Sequence, residues 1–307
     1  MSDAPLEFVD AAGPTAKGPG HVTFVVTRET SAQEVLRALL ASRPATARVF
    51  NEGQFRGADG QALRPEDALA ENGRVTLLLA PHHVVGPVSE TAVIVLHQDP
   101  FLLAVDKPAG ILVHSDGMDA ETLTARVQGY LLRQGNAAVP QALHRLDVDT
   151  SGVVLFSLTD ELQPAFDALF ASDGQLRDGL RKRYYAVVTG TMPWSIGSWH
   201  MIDAPIARDR HDARRMRVGK TGKPSATKVR VLGSRNGHTL VEAELITGRR
   251  HQIRVHLAHL GHPIVGDVLY GKASRVGSLL LHAHEVKLTH PITGEQLTIT
   301  SEPPWLW

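Results

Sequence analysis

The stretch HRLDVDTSGVVLFSL, residues 144–158, joins a cluster of ionisable side chains to an apolar run. Four ionisable residues fall within its first six positions: His144, Arg145, Asp147 and Asp149. The Thr-Ser-Gly that follows is typical of a turn, and VVLFSL predicts a buried strand. A polar loop that leads into a buried strand can hold a carboxylate rigidly. Ordinary turn chemistry, with Asp and Ser bonded to backbone amides, is the alternative interpretation.

Apolar runs typical of strands surround this stretch, and helical patterns are few. Strands are predicted at 91–98, 101–108, 153–158, 184–189, 227–233, 239–245, 280–288 and 296–300, and helices at 122–133 and 161–171. Because the strands do not alternate strictly with helices, the pattern favours an α+β fold over a doubly wound parallel sheet. Neither GxxxxGK[ST] nor GxGxxG occurs, which disfavours a nucleotide-cofactor enzyme.

The N-terminal part of the chain predicts a small unit of its own. Residues 1–19 are rich in Ala, Gly and Pro without periodicity, so we expect a disordered tail. Residues 20–82 predict a compact domain, and residues 83–307 predict a second one after a linker at 82–87. The elements predicted in the first domain are a helix capped by Ser31 and strands at 21–26, 48–55 and 74–79.

The composition excludes several classes of protein. The 307 residues include no Cys, which excludes a disulfide scaffold, a thiol nucleophile, a Cys-ligated zinc and an iron–sulfur cluster. The hydrophobic fraction of 43% indicates a globular protein with a sizeable core. No apolar run approaches the roughly 18 residues that cross a bilayer, and no signal peptide is indicated. We therefore expect a cytoplasmic protein with no membrane contact.

Opposite charges balance over the whole chain but not along it. The totals are 32 Lys and Arg against 32 Asp and Glu, yet residues 181–230 carry 12 basic and 3 acidic side chains, a net charge of +9. Such a block indicates either a contact surface for a polyanion or a solvated loop. Its central part is rich in Gly, Pro and Asp, which is typical of a mobile basic loop, and contains Arg214, Arg215 and Arg217.

A second string rich in chemistry is ITGRRHQIRVHLAHLGHPIVGD, residues 246–267, with three Arg and four His. The four His have neither HExxH spacing nor a nearby carboxylate to complete a facial set, so a metal site is disfavoured. A metal-dependent hydrolase built on them remains an alternative. A buried Arg254 would need a carboxylate partner, and Asp147 is the candidate.

The string RKRYYAVVTG, residues 181–190, places a basic cluster beside two tyrosines. Aromatic and basic side chains together are what stacked single-stranded bases require. The start of a strand with one Tyr in the core is the alternative interpretation.

These strings occur in the order and approximate spacing of RNA pseudouridine synthases of the RluA family, together with VDKPAGILVH (105–114) and LLLHAHEVKLTHPITG (279–294). The chain resembles that family over residues 92–304. The resemblance implies a pseudouridine synthase fold, with a mixed, mostly antiparallel sheet, flanking helices and a central active-site cleft. It also implies isomerisation of uridine in RNA with no metal and no other cofactor. The expected partner is an rRNA or tRNA stem-loop, and the expected state is a monomer.

Motif by motif, the resemblance assigns roles to five residues. It implies that Asp147 is the catalytic aspartate and that Arg254 is its ion-pair partner. It implies that Arg145 enters the RNA stack when the uridine leaves, that Tyr184 rather than its neighbour packs on the base, and that Ile253 lines the pocket. The residues leave open whether the aspartate attacks the sugar, attacks the base or removes a sugar proton. From the charge pattern, we expect backbone contacts from Arg214, Arg215 and Arg217.

Residues 20–82 resemble a degenerate form of the small RNA-binding domain that many of these synthases share with a small-subunit ribosomal protein, although they are poor in Lys. The alternative function is a catalytically silent RNA-binding module of the same fold. Such a module would be expected to lack the aspartate at position 147, which is present.

Overall fold

The computed structural model describes residues 5–15, 19–80, 86–114, 121–170, 179–271, 277–305 and 307. In chain order, its strands are β1 (Leu6–Ala12), β2 (Gly20–Val26), β3 (Thr30–Ser31), β4 (Phe55–Gly57), β5 (Ala68–Leu69), β6 (Arg74–Leu79), β7 (Ile94–Gln98), β8 (Leu102–Lys107), β9 (Gln141–Ala142), β10 (Ser151–Ser157), β11 (Arg181–Thr189), β12 (Trp199–Asp203), β13 (Ile206–Arg208), β14 (Met216–Val218), β15 (Ala226–Arg235), β16 (His238–Leu245), β17 (Leu281–Thr289) and β18 (Gln296–Thr300). Its helices are α1 (Ala32–Leu40), α2 (Arg43–Asn51), α3 (Leu123–Arg133), α4 (Gln163–Asp167) and α5 (Gln252–His259). None of these helices is long and apolar enough to span a membrane.

The N-terminal unit is built on a four-stranded antiparallel sheet in the order β1–β2–β6–β4. Helix α1 begins as predicted, because the Ser31 hydroxyl accepts a hydrogen bond from the Glu34 amide at 3.3 Å. Its apolar face is buried at Val35, Leu36, Leu39 and Leu40. Helix and sheet thus share one core, as expected from the 3.6-residue and 2-residue periods of their apolar positions.

Two predictions for this unit are wrong. The expected disordered tail at 1–19 contains β1, whose Leu6 and Phe8 pack against the core; its Ala- and Gly-rich flanks hid this strand. The first half of the strand expected at 48–55 is the end of helix α2, which has Ser42 as N-cap and a Pro in the first turn, and only residue 55 belongs to a strand, β4. These helix-start signals outweigh the β-branched residues that follow them.

The rest of the fold is a ten-stranded sheet whose main path runs β12–β15–β16–β11–β17–β10–β8–β7, with β18 beside β17 and β9 beside β10. Among the described strands of this sheet, β10 and β17 pair in parallel and the other pairs are antiparallel. The predicted α+β class with a mostly antiparallel sheet is confirmed. The helix expected at 161–171 is shorter than predicted and is limited to α4.

One hydrophobic core joins the two sheets, since Phe24 of β2 and Leu102 of β8 belong to the same buried cluster. The ring of Phe8 meets the rings of Phe24 and Phe101 edge-on, with centroids 6.3 and 6.2 Å away. Across the same contact, the amide of Gln54 donates a 2.8 Å hydrogen bond to the buried carboxylate of Glu161. The N-terminal unit is therefore packed onto the larger sheet. The predicted boundary at 82/83 falls within residues 81–85, outside the described residues, and stays a prediction.

Candidate active site

A cavity of about 390 Å³ opens where the loop before β10, strand β11 and the start of α5 converge. All five residues that the resemblance singles out line it: Arg145, Asp147, Tyr184, Ile253 and Arg254. These residues come from segments more than 100 residues apart in the chain. The order of the strands in the sheet brings the segments together. Strand β11 lies between β16 and β17, β16 leads into α5, and β17 pairs with β10.

The loop that carries Asp147 is fixed from below by Lys107. This side chain is completely buried, and its ammonium donates hydrogen bonds to the carbonyls of Pro108, Ile111 and Val148 at 2.9, 2.8 and 2.8 Å. Burial lowers the pKa of Lys107 to about 8. The loop then enters β10 at Gly152, with φ +112°, where a Cβ would lie 2.3 Å from the carbonyl oxygen of Ala283. Only glycine allows so close a parallel approach to β17.

Asp147 and Arg254 form the predicted ion pair. The Nη1 of Arg254 lies 2.8 Å from Oδ2 of Asp147, and the arginine side chain is 5% exposed against 27% for the aspartate. Burial by itself would lower the pKa of Arg254, but hydrogen bonds to Asp267 and Asp147 raise it, so the guanidinium stays charged. The carboxylate of Asp147 is thus anchored at one oxygen while part of it faces the cavity.

Asp267 is a second partner of Arg254 that the sequence analysis missed. Its carboxylate accepts from Nε and Nη2 of Arg254 at 2.8 and 2.9 Å, a two-pronged contact. Its Oδ1 also accepts from the amides of Leu269 and Tyr270 at 3.0 and 3.1 Å. Burial opposes ionisation of Asp267, yet the bonds to Arg254 hold its pKa below the ordinary value. The Gly-Asp pair that ends the string 246–267, which is typical of a turn, is the sequence signal that could have identified Asp267.

His251 also faces the catalytic candidate. Its Nε2 lies 3.7 Å from Oδ1 of Asp147, and its Nδ1 lies 2.7 Å from the hydroxyl of Tyr270. Burial lowers the pKa of His251, so the ring is neutral at pH 7. The Tyr270 hydroxyl also accepts a hydrogen bond from the Met216 amide at 2.8 Å, and it can either donate its own proton to Nδ1 or accept one from it. In the first arrangement the imidazole proton is on Nε2 and points toward Asp147.

Tyr184 is 7% exposed and lines the cavity, whereas Tyr185 stacks on His284 at 4.3 Å on the opposite face of the sheet. Burial raises the pKa of Tyr184, so its hydroxyl remains protonated. The alternation along β11 places Lys182 on the same face as Tyr184, and Lys182 also lines the cavity. In the sequence alone, this lysine is one member of the basic cluster at 181–183.

The three arginines expected to contact the RNA backbone belong to a segment whose strand β14 lies against α5. The segment forms an antiparallel hairpin of β13 and β14 rather than the mobile loop that its composition suggested. Arg214 is exposed, pairs with Asp212 at 2.9 Å and lines a second cavity next to Asp147. Arg215 is exposed and places its guanidinium 5.5 Å from the centre of the Tyr270 ring. Arg217 is half-buried in β14.

The histidines of the 246–267 string serve separate contacts. His256 bonds Thr227 and the carbonyl of Ala204, both at 2.9 Å, and His262 bonds the carbonyl of Thr189 at 3.0 Å. Within the ranges that the structure describes, His, Asp and Glu side chains do not converge in threes as metal ligands would.

Comparisons with known proteins agree with this geometry. A family model described as RNA pseudouridylate synthase matches residues 102–259. The ribosomal large subunit pseudouridine synthase D of Xanthomonas campestris pv. campestris is 36% identical over 267 residues, which cover 80% of this chain and 77% of that protein. The tRNA pseudouridine synthase C of Salmonella typhi is 35% identical over 235 residues, covering 69% of this chain and 86% of that protein.

A solved structure gives the same result for the fold. The human RNA pseudouridylate synthase domain containing 1 protein superposes with a TM-score of 0.58 at 26% identity, covering 72% of this chain and 88% of that one. The matched segment 102–259 contains Asp147, Tyr184 and Arg254. The chain therefore belongs to the RluA family of RNA pseudouridine synthases and is an isomerase.

Proposed function

We propose that this isomerase converts uridine to pseudouridine in an rRNA or tRNA stem-loop, with Asp147 as the catalytic carboxylate. The observation that carries the proposal is the geometry of Asp147, which is held by the buried Arg254 at 2.8 Å and yet remains 27% exposed toward the cavity. A fixed, accessible carboxylate is what a glycosidic bond needs beside its anomeric carbon.

The chemistry assigns a task to each part of the cavity. The bond between C1′ and N1 breaks, the uracil turns, and C5 forms the new bond to C1′. Asp147 stabilises or attacks the electron-deficient sugar carbon during the break. Tyr184 and Ile253, both buried in the cavity wall, hold the detached base so that it turns without escaping.

The target uridine has to leave its stack before it can reach Asp147, which costs a few kcal/mol. Arg145 is exposed at the edge of the cavity, where its planar guanidinium can take the vacated place in the stack. A loop or bulge lowers this cost, because its bases are already partly unstacked. Two similar proteins are named for the ribosomal large subunit and for tRNA, which supports rRNA or tRNA as the substrate.

The test is pseudouridine mapping on total RNA from cells with the gene, without it, and complemented with Asp147→Asn. We expect sites that disappear on deletion, return with the wild-type gene and do not return with the variant. Complementation with Asp149→Asn is the matched control, because Asp149 is an exposed carboxylate of the same loop. Return of the sites with Asp147→Asn would refute Asp147 as the catalytic carboxylate, and no site lost on deletion would favour an RNA-binding module without this activity.

A further inference from the structure

Lys182 is a buried lysine in the wall of the active-site cavity. Its side chain is 6% exposed and shares the cavity with Asp147 and Tyr184. The ammonium lies 4.5 Å from the centre of the Phe170 ring. Burial lowers the pKa of Lys182 to about 7.

No described residue gives this ammonium a hydrogen-bond acceptor or a counterion. Lys107, the other deeply buried lysine near the site, has three carbonyl acceptors. Burying an ammonium without such partners is costly, and a fold keeps one mainly where a ligand supplies the partner. This difference between the two lysines is informative, because Lys182, which lacks these acceptors, lies in the cavity wall and Lys107 lies beneath the cavity.

A second polar group at the same end of the cavity also has no acceptor. The ring of His144 stacks on Phe170 at 5.5 Å and lines the cavity. Its Nε2 accepts from the Leu155 amide at 3.3 Å, so the proton of the neutral ring is on Nδ1. That Nδ1 is buried and has no hydrogen-bond partner within the described chain. The Nδ1 of His144 is inaccessible, so Lys182 is the donor at this end of the cavity that a ligand with acceptor oxygens would meet.

We propose that Lys182 is a further catalytic residue, whose ammonium binds a carbonyl oxygen of the uracil and stabilises the negative charge of the base after it has left the sugar. The inference rests on the proposed function. Uracil fits better than an RNA phosphate, because Lys182 is buried and Arg145 and Arg214 are exposed at the mouth, where phosphates would pass.

The step balances without a further reactant. When the bond between C1′ and N1 breaks, its electron pair stays on the uracil, whose charge is shared by N1, O2 and O4. Lys182 offsets that charge by a hydrogen bond and keeps its proton. The base then donates an electron pair from C5 to C1′, and the proton of C5 is replaced by one on N1. The net change is an isomerisation, and the cation acts where charge develops.

The test uses Lys182→Met in the full-length protein, with single-turnover rate, RNA affinity and melting temperature measured on one preparation. We expect the rate at saturating RNA to fall about 100-fold or more, as for loss of one charge-stabilising donor. RNA affinity should fall far less than the rate, because most of the negative charge that the ammonium offsets develops only after the bond breaks. The melting temperature should hold or rise, since methionine fills the space without a buried charge.

Lys107→Met is the matched control for stability. It removes three satisfied hydrogen bonds and should lower the melting temperature, which shows that the measurement detects a partnered lysine. Lys182→Gln keeps a neutral donor and should be less impaired in rate than Lys182→Met.

Two results would overturn the proposal. In one, Lys182→Met turns over like the active wild type. In the other, both Lys182 variants lose rate only in proportion to a loss of melting temperature, which would make Lys182 a structural cation on Phe170. Absence of pseudouridine formation by the wild type itself would instead refute the proposed function.

Discussion

Arg254 reaches Asp147 with a single nitrogen, Nη1 at 2.8 Å from Oδ2, because its Nε and Nη2 are both held by Asp267. Asp267 therefore fixes the orientation of the Arg254 guanidinium. This orientation does not depend on Asp147, the carboxylate that faces the cavity. Asp147 keeps Oδ1 free of the guanidinium, with His251 3.7 Å away. In the proposed function, this arrangement leaves Asp147 to act on the substrate while Asp267 holds Arg254 in place.

Asp267→Asn should lower the free energy of unfolding at pH 7 by about 1–3 kcal/mol, because the buried Arg254 loses its two-pronged charged partner and keeps the single contact with Asp147. The pKa of Asp267 is held below its ordinary value. Its contribution is thus present above the ordinary value, about 3.9, and disappears as the pH falls through the folded-state pKa. Denaturant unfolding at several pH values should show the full difference in the free energy of unfolding between the variant and the wild type at neutral pH, and a smaller difference in acid. Equal stability of the variant and the wild type at pH 7 would contradict the pairing.

Asp147→Asn should abolish turnover and leave the fold intact. The amide keeps the shape of the side chain but lacks the charge that the cleavage needs, and Arg254 remains paired with Asp267. RNA affinity should stay within a few-fold of the wild type by filter binding. Asp149→Asn is the control, because that exposed carboxylate belongs to the same loop, and it should retain substantial activity. Pseudouridine formation by Asp147→Asn above a buffer control would remove the assignment.

Tyr184→Phe and Tyr184→Leu separate the two ways in which Tyr184 can act. If packing on the uracil dominates, Phe should retain most of the single-turnover rate and Leu should lose clearly more, because only Phe keeps the aromatic face. We expect this order, since burial raises the pKa of Tyr184 and keeps its hydroxyl protonated. An almost inactive Phe variant would show instead that the hydroxyl takes part. Wild-type rates in both would exclude Tyr184 from the site.

The sequence predicted the parts of the fold and site that short patterns encode. Ser31 caps α1 through spacing alone, and the pairing of Asp147 with Arg254 follows from motif order and the need of a buried guanidinium for a carboxylate. Asp267 was missed because its contact with Arg254 depends on how the chain folds back over 13 residues, and Lys182 was missed because the sequence does not show that it is buried in the cavity wall. Strand β1 was missed because composition was weighed over alternation, although Phe8 packs into the shared core.

Tyr270→Phe should change the protonation of His251 without disturbing the aromatic contacts of residue 270. We expect the hydroxyl to donate to Nδ1 of His251, so its loss should let the imidazole proton move between the two nitrogens. Imidazole nitrogen chemical shifts should report a single tautomer, protonated on Nε2, in the wild type and a mixture in the variant. The control is Tyr130→Phe, whose hydroxyl contacts Gln98 and not His251. A wild-type imidazole protonated on Nδ1 would contradict the assigned direction of the hydrogen bond.

The β13–β14 hairpin should supply phosphate contacts. Replacing Arg214, Arg215 and Arg217 together by Gln should flatten the slope of log K against log[salt] by about two units, since each phosphate contact on a single strand contributes about 0.7. The Michaelis constant should rise while the single-turnover rate at saturating RNA changes little, because these side chains position RNA and do no chemistry.

The matched control for the hairpin removes the same charge from exposed positions of the N-terminal unit, at Arg28, Arg37 and Arg74. The net charge of the protein falls equally in both triple variants, so a general effect of charge would flatten both slopes alike. If the hairpin contacts phosphates, only the hairpin variant has a flattened slope, because counterions are released only where a phosphate is neutralised. Titration at four or more salt concentrations measures both slopes. An unchanged slope for the hairpin variant would mean that these arginines are a solvated face, and a flattened slope for the control would move the RNA path onto the N-terminal unit.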